Sequence, residues 1–472
     1  MENAGRSISY KWIAMSVVAM GTFMSTLDMG AVRVALPHLE QVFQTGPDTV
    51  IWVSLIWLLI GSGLMLALGR VGDTFGRKRL YTLGLAIFSL GLVLCSLAQN
   101  LIQLVVFRLI QASGAAMTIA IGNAILTTSF PSNERGKALG IIGAVVGLGQ
   151  LCGPALGGLF LDLLGWRSIF YLRLPIGIIS VAMAWALLKE QSSPKRMEKF
   201  DLLGAATFFF ALTCLLLAIT RGQSLGWFSP WVLSLGVAGA LLLFFFLVVE
   251  QRAEQPVLDL RFFRSRFFST ASSSHVFLYM STAVASFLMP FYLFQGLGFN
   301  TTKTGLLLVT IPAITLVVSP LSGRLSDKLG TRFLCALGLT LVSVGLFLLS
   351  GLGTSASIGN IVLYLAILGA GMGLFTAPNT SAIMGSVPSD RLGSASAMVG
   401  TLRQLGMSVG LAIASSVFAA SQFSHAAQLT SEKLPQDITE RLSTISGFQD
   451  AAFVALVIAV IGLLVSVLRG KT

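Results

Sequence analysis

Charge is scarce in this sequence. Of 472 residues, 11% are Asp, Glu, Lys or Arg, where soluble proteins carry about a quarter. Together with 55% hydrophobic residues and a mean hydropathy of +0.85, that scarcity excludes a soluble enzyme and a disordered chain. The formal charge is +12, but so thin an excess cannot form the dense basic stripe of a nucleic-acid binder. Cysteine and histidine are also sparse. Cys95, Cys152, Cys214 and Cys335 lie inside apolar runs without metal-ligand spacing and read as small packed hydrophobes. His38, His275 and His425 do not cluster, and no H-E-x-x-H occurs, so no metal is expected. No G-x-x-x-x-G-K-S/T loop occurs, so ATP is not expected as the direct energy source. Nothing reads as a nucleophile–base pair, and no enzyme activity is expected.

What is present is apolar length. Segments fall at 13–36, 50–69, 80–98, 102–130, 137–162, 168–188, 201–220, 231–250, 267–294, 304–323, 333–352, 360–384, 394–419 and 448–468. A span needs about 20 residues, and runs this long must be helices to satisfy their backbone in lipid. The expectation is an all-α polytopic membrane protein with fourteen spans. The first span follows Arg6 and Lys11 without a clear cleavage site and reads as a retained helix, not a removed signal peptide.

The basic residues choose the orientation. With the N-terminus cytoplasmic, 22 of 31 Lys and Arg fall on the cytoplasmic side and five on the other. Arg33, Arg108, Arg173 and Arg403 fall within spans. This bias predicts both termini inside, and the expected location is the cytoplasmic membrane of a bacterial cell.

The sequence also repeats. Gly69-Arg70-Val71-Gly72-Asp73-Thr74-Phe75-Gly76-Arg77-Lys78 returns as Gly323-Arg324-Leu325-Ser326-Asp327-Lys328-Leu329-Gly330-Thr331-Arg332. Each copy ends the second span of its half. The offset is 254 residues, while the last six spans take about 200, so about two helices and a loop are inserted. The expected domains are 1–190, a six-helix bundle; 191–262, two linker helices; and 263–472, a second six-helix bundle with an outer loop at 421–447. In the repeated loop the glycines permit a tight turn. Gly69, Asp73, Gly76, Arg77, Asp327 and Arg332 are its gating candidates, with Asp73 and Asp327 available to cap a helix or pair across the bundles.

These residues carry a family resemblance. Leu27-Asp28 through Ala35-Leu36-Pro37, Gly69 to Arg79, Arg108-Leu109-Ile110-Gln111, and Gly143 to Gly158 ending Gly153-Pro154-Ala155-Leu156-Gly157-Gly158 resemble motifs of the major facilitator superfamily. The branch they resemble is the fourteen-span drug:proton antiporters. Gly165-Trp166-Arg167 to Pro175-Ile176-Gly177 and Leu402-Arg403-Gln404-Leu405-Gly406 also look like stretches of that branch. The resemblance implies two six-helix bundles that rock around a central site, and proton-driven export. The fifth-span stretch has a direct reading as well. Gly149, Gly153 and Gly157 recur every four residues on one helix face, with Gly158 beside them, so a second helix can approach closely. Pro154 removes a backbone donor and invites a bend.

Ionisable groups inside spans are expensive and mark function. Asp28 is the one carboxylate well inside a span. By helix rise it lies about 12 Å below the outer end of its helix, and Arg108 about 10 Å below the end of its own. Equal depth makes them a pair. We read Asp28 as the proton-coupling residue with Arg108 as its modulator, roles that the resemblance supports; a static packing pair is the alternative. Arg33 and Arg173, about 5 and 7 Å deep, stand where the resembling branch typically has Asn. They call for an anion: Glu40, Asp48 or Asp162, or a bound carboxylate or phosphate, with snorkelling to lipid headgroups as the competing reading. Gln111, His275, Gln295 and Asn379 complete the expected substrate-facing set.

The expected function is proton-coupled export of hydrophobic or amphipathic compounds. The partners are the bilayer and a small amphipathic molecule, with no nucleic acid and a monomeric chain; protons are the coupling ion and no cofactor is expected. Export or flipping of an anionic amphiphile through Arg33 and Arg173 is the second reading. A non-transporting receptor or scaffold is the third.

Overall fold

Apolar runs of this length close their hydrogen bonds locally, and the fold is built of helices accordingly. The computed structural model describes residues 2–131, 134–190, 202–252, 260–387 and 392–468, without the side chains of 2–9, 64–75, 135, 136, 139, 202, 205, 223, 252, 260, 327 and 392–397. The first half holds α1 (Glu2–Phe43), α2 (Pro47–Val50), α3 (Trp52–Phe75), α4 (Arg77–Leu97), α5 (Leu101–Ser129), α6 (Arg135–Leu164), α7 (Ser168–Tyr171) and α8 (Leu174–Leu187). A hairpin follows, α9 (Leu202–Leu225) and α10 (Pro230–Arg252). The second half holds α11 (Arg266–Phe287), α12 (Met289–Phe291), a π-turn at Tyr292–Gly296, α13 (Thr301–Leu308), α14 (Thr310–Leu329), α15 (Thr331–Ser350), α16 (Ile358–Gly385), α17 (Leu392–Ser431) and α18 (Gln436–Val467).

The same packing occurs twice. In the first half α1 lies on α6, α3 and α4 lie on α5, and α8 closes against α1 and α4. In the second half α11 lies on α17, α14 and α15 lie on α16, and α18 closes against α11 and α15. The repeated turn motif does the same job in each half. Gly76 joins α3 to α4 at φ 95°, and Gly330 joins α14 to α15 at φ 80°. A side chain rarely adopts that backbone, so glycine at this one-residue joint follows from sterics. The α9–α10 hairpin rests on the seam between the bundles, with α9 against α3 and α17. Its outward face is apolar, as at Trp231, Leu241 and Phe244, which suits a lipid-facing element.

Two expectations change. Among the described residues, twelve helical stretches are long and apolar enough to cross a membrane, where fourteen are expected. At the second and seventh expected spans stand shorter apolar stretches, Pro47–Gly63 and Ala206–Gly222, because the described side chains stop at Gly63 and are interrupted at 205 and 223. The expected outer loop at 421–447 is not a loop. α17 continues to Ser431 and α18 begins at Gln436, leaving a four-residue turn. The run Ala426-Ala427-Gln428-Leu429 is made of strong helix formers, which carry the helix past the apolar span. Lys433 turns the chain at φ 59°, and Pro435 caps α18.

Candidate functional site

The deepest polar cluster belongs to α1, α5 and the start of α8. Asp28 is fully buried, and Arg108 is 1% and Arg173 4% exposed. Arg108 Nη1 donates to Asp28 Oδ2 at 2.6 Å, and Arg173 Nη1 donates to Asp28 Oδ1 at 2.5 Å. Gln111, one helical turn beyond Arg108, donates from Nε2 to Asp28 Oδ1 at 3.0 Å and accepts from Arg108 Nη1 at 2.7 Å. Arg108 Nε also donates to the carbonyl of Val53 on α3 at 3.2 Å, and its guanidinium lies 4.8 Å from the Trp57 ring centre. Arg173 is less well satisfied. Its Nε and Nη2 are buried without hydrogen-bond partners. One carboxylate thus serves two guanidinium groups, and the cluster carries a net positive charge in a low-dielectric site.

Beside this cluster, α6 is held between two helices. Cβ atoms added at Gly153 and Gly157 would lie 2.8 Å from the Leu27 carbonyl oxygen and 2.5 Å from Ala31 Cα, both on α1, and one at Gly149 would strike Thr26. Conversely, a Cβ at Gly30 would lie 2.8 Å from Pro154 Cδ. The other side of the glycine stretch meets the second bundle: a Cβ at Gly158 would strike the carbonyl of Thr301 on α13. Pro154 sits inside α6 at this crossing.

Polar contacts join the bundles at the ends of α1 and α6. Asp162 accepts from the backbone N–H of Thr301 at 3.2 Å and of Thr302 at 2.7 Å, and from both threonine hydroxyls. It therefore caps α13 from the opposite bundle, where the helix N-terminus favours an anion. Close by in the chain, Gln295 Nε2 donates to Glu40 Oε2 at 2.5 Å. The acidic partners expected for Arg33 and Arg173 are thus engaged elsewhere, with Asp48 accepting from the Thr49 hydroxyl at 3.4 Å. Glu40 takes Gln295, Asp162 takes Thr301 and Thr302, and Arg173 turns to Asp28. Helix rise gives depth but not the direction in which a side chain points, which is why the pairing is not visible in sequence.

Arg33 does not join the cluster. Its guanidinium lies 4.6 Å from the ring centre of Phe287 on α11, in the other bundle. His275 and Asn379 are buried between α11 and α16: Asn379 Nδ2 donates to the Ala271 carbonyl at 3.0 Å and lies 3.4 Å from His275 Nδ1. Tyr279 packs edge-on to the His275 ring at 4.9 Å. Both expected substrate-facing residues therefore pack inside one bundle, as Gln111 does in the other. Arg77 binds the carbonyl of Ala124 at 3.3 Å and Thr128 Oγ1 at 3.1 Å near the C-terminus of α5. Arg332 binds the carbonyl of Val467 at the C-terminus of α18 at 2.6 Å. Both place a cation near the C-terminal end of a helix, where the helix dipole favours positive charge. Gly69, Asp73 and Asp327 lie outside the residues whose side chains are described. Among the described residues no group of His, Cys, Asp and Glu has a metal-binding arrangement.

Two like bundles of membrane-spanning helices, with a buried ionic cluster in one and polar contacts joining them at one end, define a multi-pass secondary transporter. The chain belongs to the Major Facilitator Superfamily, whose family model matches residues 18–411. It is thus a transporter and not an enzyme. It is similar to the riboflavin transporter RibZ of Clostridioides difficile (strain 630), 34% identical over 411 residues that cover 87% of this chain and 89% of that protein. It is also similar to the multidrug resistance protein Stp of Mycobacterium tuberculosis (strain ATCC 25618 / H37Rv), 31% identical over 409 residues covering 86% and 76%. Multidrug resistance protein 3 of Bacillus subtilis (strain 168) is 29% identical over 411 residues covering 86% and 79%. Among solved structures, a bacterial homologue of the human lysosomal transporter Spinster, inward-facing and unoccupied, superposes with a TM-score of 0.73 at 17% identity, covering 98% of this chain and 97% of that one. At that identity the likeness speaks for the fold.

Proposed function

We propose that the protein is a proton-coupled exporter of amphipathic compounds, with Asp28 as the coupling carboxylate. The observation that carries this reading is the Asp28 cluster. Protonating Asp28 would leave Arg108 and Arg173 buried without a counter-ion, a costly state. Proton loading therefore requires that a guanidinium withdraw or that α1 and α8 move apart. Arg173, with two unpartnered nitrogens, is the more weakly held of the two. Because α1 packs on the glycine face of α6, and α6 also meets α13 of the other bundle, movement at Asp28 has a mechanical route to the interface. Differential stability of the two states, set by protonation and by substrate, is what coupling requires.

Several further assignments belong to this reading. The chain crosses the membrane fourteen times, counting α3 and α9 as spans. Both termini are cytoplasmic, as the Lys and Arg bias supports. The ends joined by Asp162 and Glu40 then face outward, and the structure corresponds to a state closed on that side. Residues 1–190 and 263–472 form the two moving bundles, with 191–262 as the inserted pair. Relatives named for riboflavin transport and for drug resistance support a small organic substrate. The test uses proteoliposomes with an imposed pH gradient and a panel of cationic, neutral and anionic amphiphiles. Wild type accumulates at least one compound against its gradient, and Asp28→Asn does not. Gradient-driven accumulation that survives Asp28→Asn rejects the coupling role.

A further inference from the structure

Three contacts run along the seam between α1 and the start of the second bundle. Arg33 lies over Phe287 at 4.6 Å, the rings of His38 and Phe294 meet edge-on at 6.3 Å, and Gln295 Nε2 donates to Glu40 Oε2 at 2.5 Å. The partners pass from α11 into the π-turn at Tyr292–Gly296 as α1 advances by about two turns. The last contact is chemically unbalanced. Glu40 is 9% exposed and, among the described residues, forms no ion pair. Its partner is a neutral amide that is itself half satisfied: Gln295 Oε1 is buried without a hydrogen-bond partner. An ionised carboxylate only accepts hydrogen bonds, so it gives that oxygen nothing. A buried carboxylate without a cation and a buried acceptor without a donor both cost free energy. One proton on Glu40 removes both costs. A carboxylic acid offers an O–H and a carbonyl oxygen, a primary amide offers an N–H and a carbonyl oxygen, and the two can close a ring of two hydrogen bonds.

The surroundings favour the neutral acid. On α18, Asp437 and Glu440 line a cavity of about 410 Å³ with Gln41 and Gln295, and add like charge beside the pair. The cation of that cavity, Arg441, donates from Nε to the Gly296 carbonyl at 3.2 Å. On α2 stands another carboxylate, Asp48, and on α6 Asp162 is taken by Thr301 and Thr302. Lys303 of α13 lies over the Phe299 ring at 3.6 Å, and the Tyr292 hydroxyl donates to the Gly353 carbonyl at 2.8 Å. Arg108 and Arg173 are held by Asp28, and Arg167 by the Ala98 carbonyl. On α1 itself, His38 is half-buried against Phe294. We propose that Glu40 binds a proton when the bundles meet at this end, and that the acid–amide pair it then forms with Gln295 is a proton-operated latch. Because the closed state holds the extra proton, acid favours closure and alkali favours opening. Loss of the proton puts a charge into the seam, where only water admitted between the bundles can solvate it. The proposed orientation makes this an external proton; that Glu40 binds it depends neither on the orientation nor on Asp28.

The test uses the full-length protein in nanodiscs, with the same buffer on both faces and no substrate, so that its failure leaves the coupling role of Asp28 untouched. Infrared difference spectra look for the carbonyl stretch of a protonated carboxylic acid. Wild type should show it at about pH 6, well above the ordinary glutamate value of about 4.3. Glu40→Gln should lack the band, and Asp28→Asn should keep it. Hydrogen exchange over 292–304 then reads closure, each rate being divided by that of an unstructured peptide at the same pH. Protection in wild type should fall about tenfold or more between about pH 5.5 and 8.5. Glu40→Gln keeps a donor and an acceptor toward Gln295 and should stay protected throughout, whereas Glu40→Ala should be unprotected throughout. His38→Gln should follow pH as wild type does, which separates the imidazole from the carboxylate. Unchanged exchange within α16 shows that each variant is folded. A wild-type band that is missing, or that Asp28→Asn removes in place of Glu40→Gln, overturns the proposal. So does protection that ignores pH in wild type, or that follows pH equally in Glu40→Gln.

Discussion

Asp162, near the end of α6, accepts the backbone N–H of Thr302, in the first turn of α13, at 2.7 Å. The bond crosses from one bundle to the other, so its energy counts only while that end is closed. Hydrogen bonds to a charged group are each worth about 1.5–3 kcal/mol. Asp162→Ala should therefore shift the protein by about tenfold or more toward the state open at that end. Labelling of a cysteine introduced at Thr304, fully buried one turn along α13 from this contact, should speed up by a similar factor in liposomes. Unchanged labelling would show that the contact does not hold the bundles closed.

The two arginines on Asp28 should not be equivalent. Arg108 has bonds to Asp28, Gln111 and Val53, whereas Arg173 has the single bond to Asp28. Arg108→Gln breaks a buried, fully bonded pair and should destabilise by about 3–5 kcal/mol. Arg173→Gln removes a surplus charge and should cost clearly less. Thermal melting in detergent compares them, and the double substitution should be non-additive because both partners share one carboxylate.

The glycines of α6 divide by what they face. A Cβ at Gly157 would press into the backbone of α1, so Gly157→Ala should destabilise by about 1–3 kcal/mol. Nothing lies within 4 Å of a Cβ at Gly140 or Gly143. Alanine there should be neutral or gain up to about 1 kcal/mol of helix propensity. Gly158 faces Thr301 of the other bundle. Gly158→Ala should leave the melting temperature near wild type but hinder closure, which the same cysteine labelling reads.

The repeated joints offer a matched pair. Gly76→Ala and Gly330→Ala each place a side chain at positive φ, at φ 95° and 80°. Each should cost about 1–2 kcal/mol, measured by melting, with a similar loss in the two halves. A loss at one joint alone would mean that the two turns carry different loads.

Much of this architecture could be read from the sequence, and the limits are physical. Hydropathy locates spans because the backbone must be satisfied wherever lipid surrounds it. The repeated G-R-x-x-D-x-x-G frame locates the two halves because its last glycine makes the same left-handed joint in each. Depth along a helix follows from 1.5 Å per residue, and it brings Asp28 level with Arg108. Rotation about the helix axis has no such ruler in an all-apolar segment, where no polar face fixes the phase. The sequence therefore does not tie Arg173 to Asp28, or Arg33 to Phe287. The cap of Asp162 on α13 joins residues 139 positions apart and leaves no local sequence signal. The 421–447 segment misleads for another reason: its polarity reports exposure to water, while its alanines, glutamines and leucines continue the helix.

The central claim is that proton movement passes through Asp28. The most direct measurement loads proteoliposomes with a pH-sensitive dye, adds outside a non-acidic compound that wild type accumulates in the gradient assay, with no imposed gradient, and follows luminal pH. Wild type should move protons opposite to the substrate, with a signal that scales with substrate flux. Asp28→Asn should move substrate downhill with no change in luminal pH. A variant without that carboxylate that still moves protons at the wild-type ratio to substrate would contradict the account.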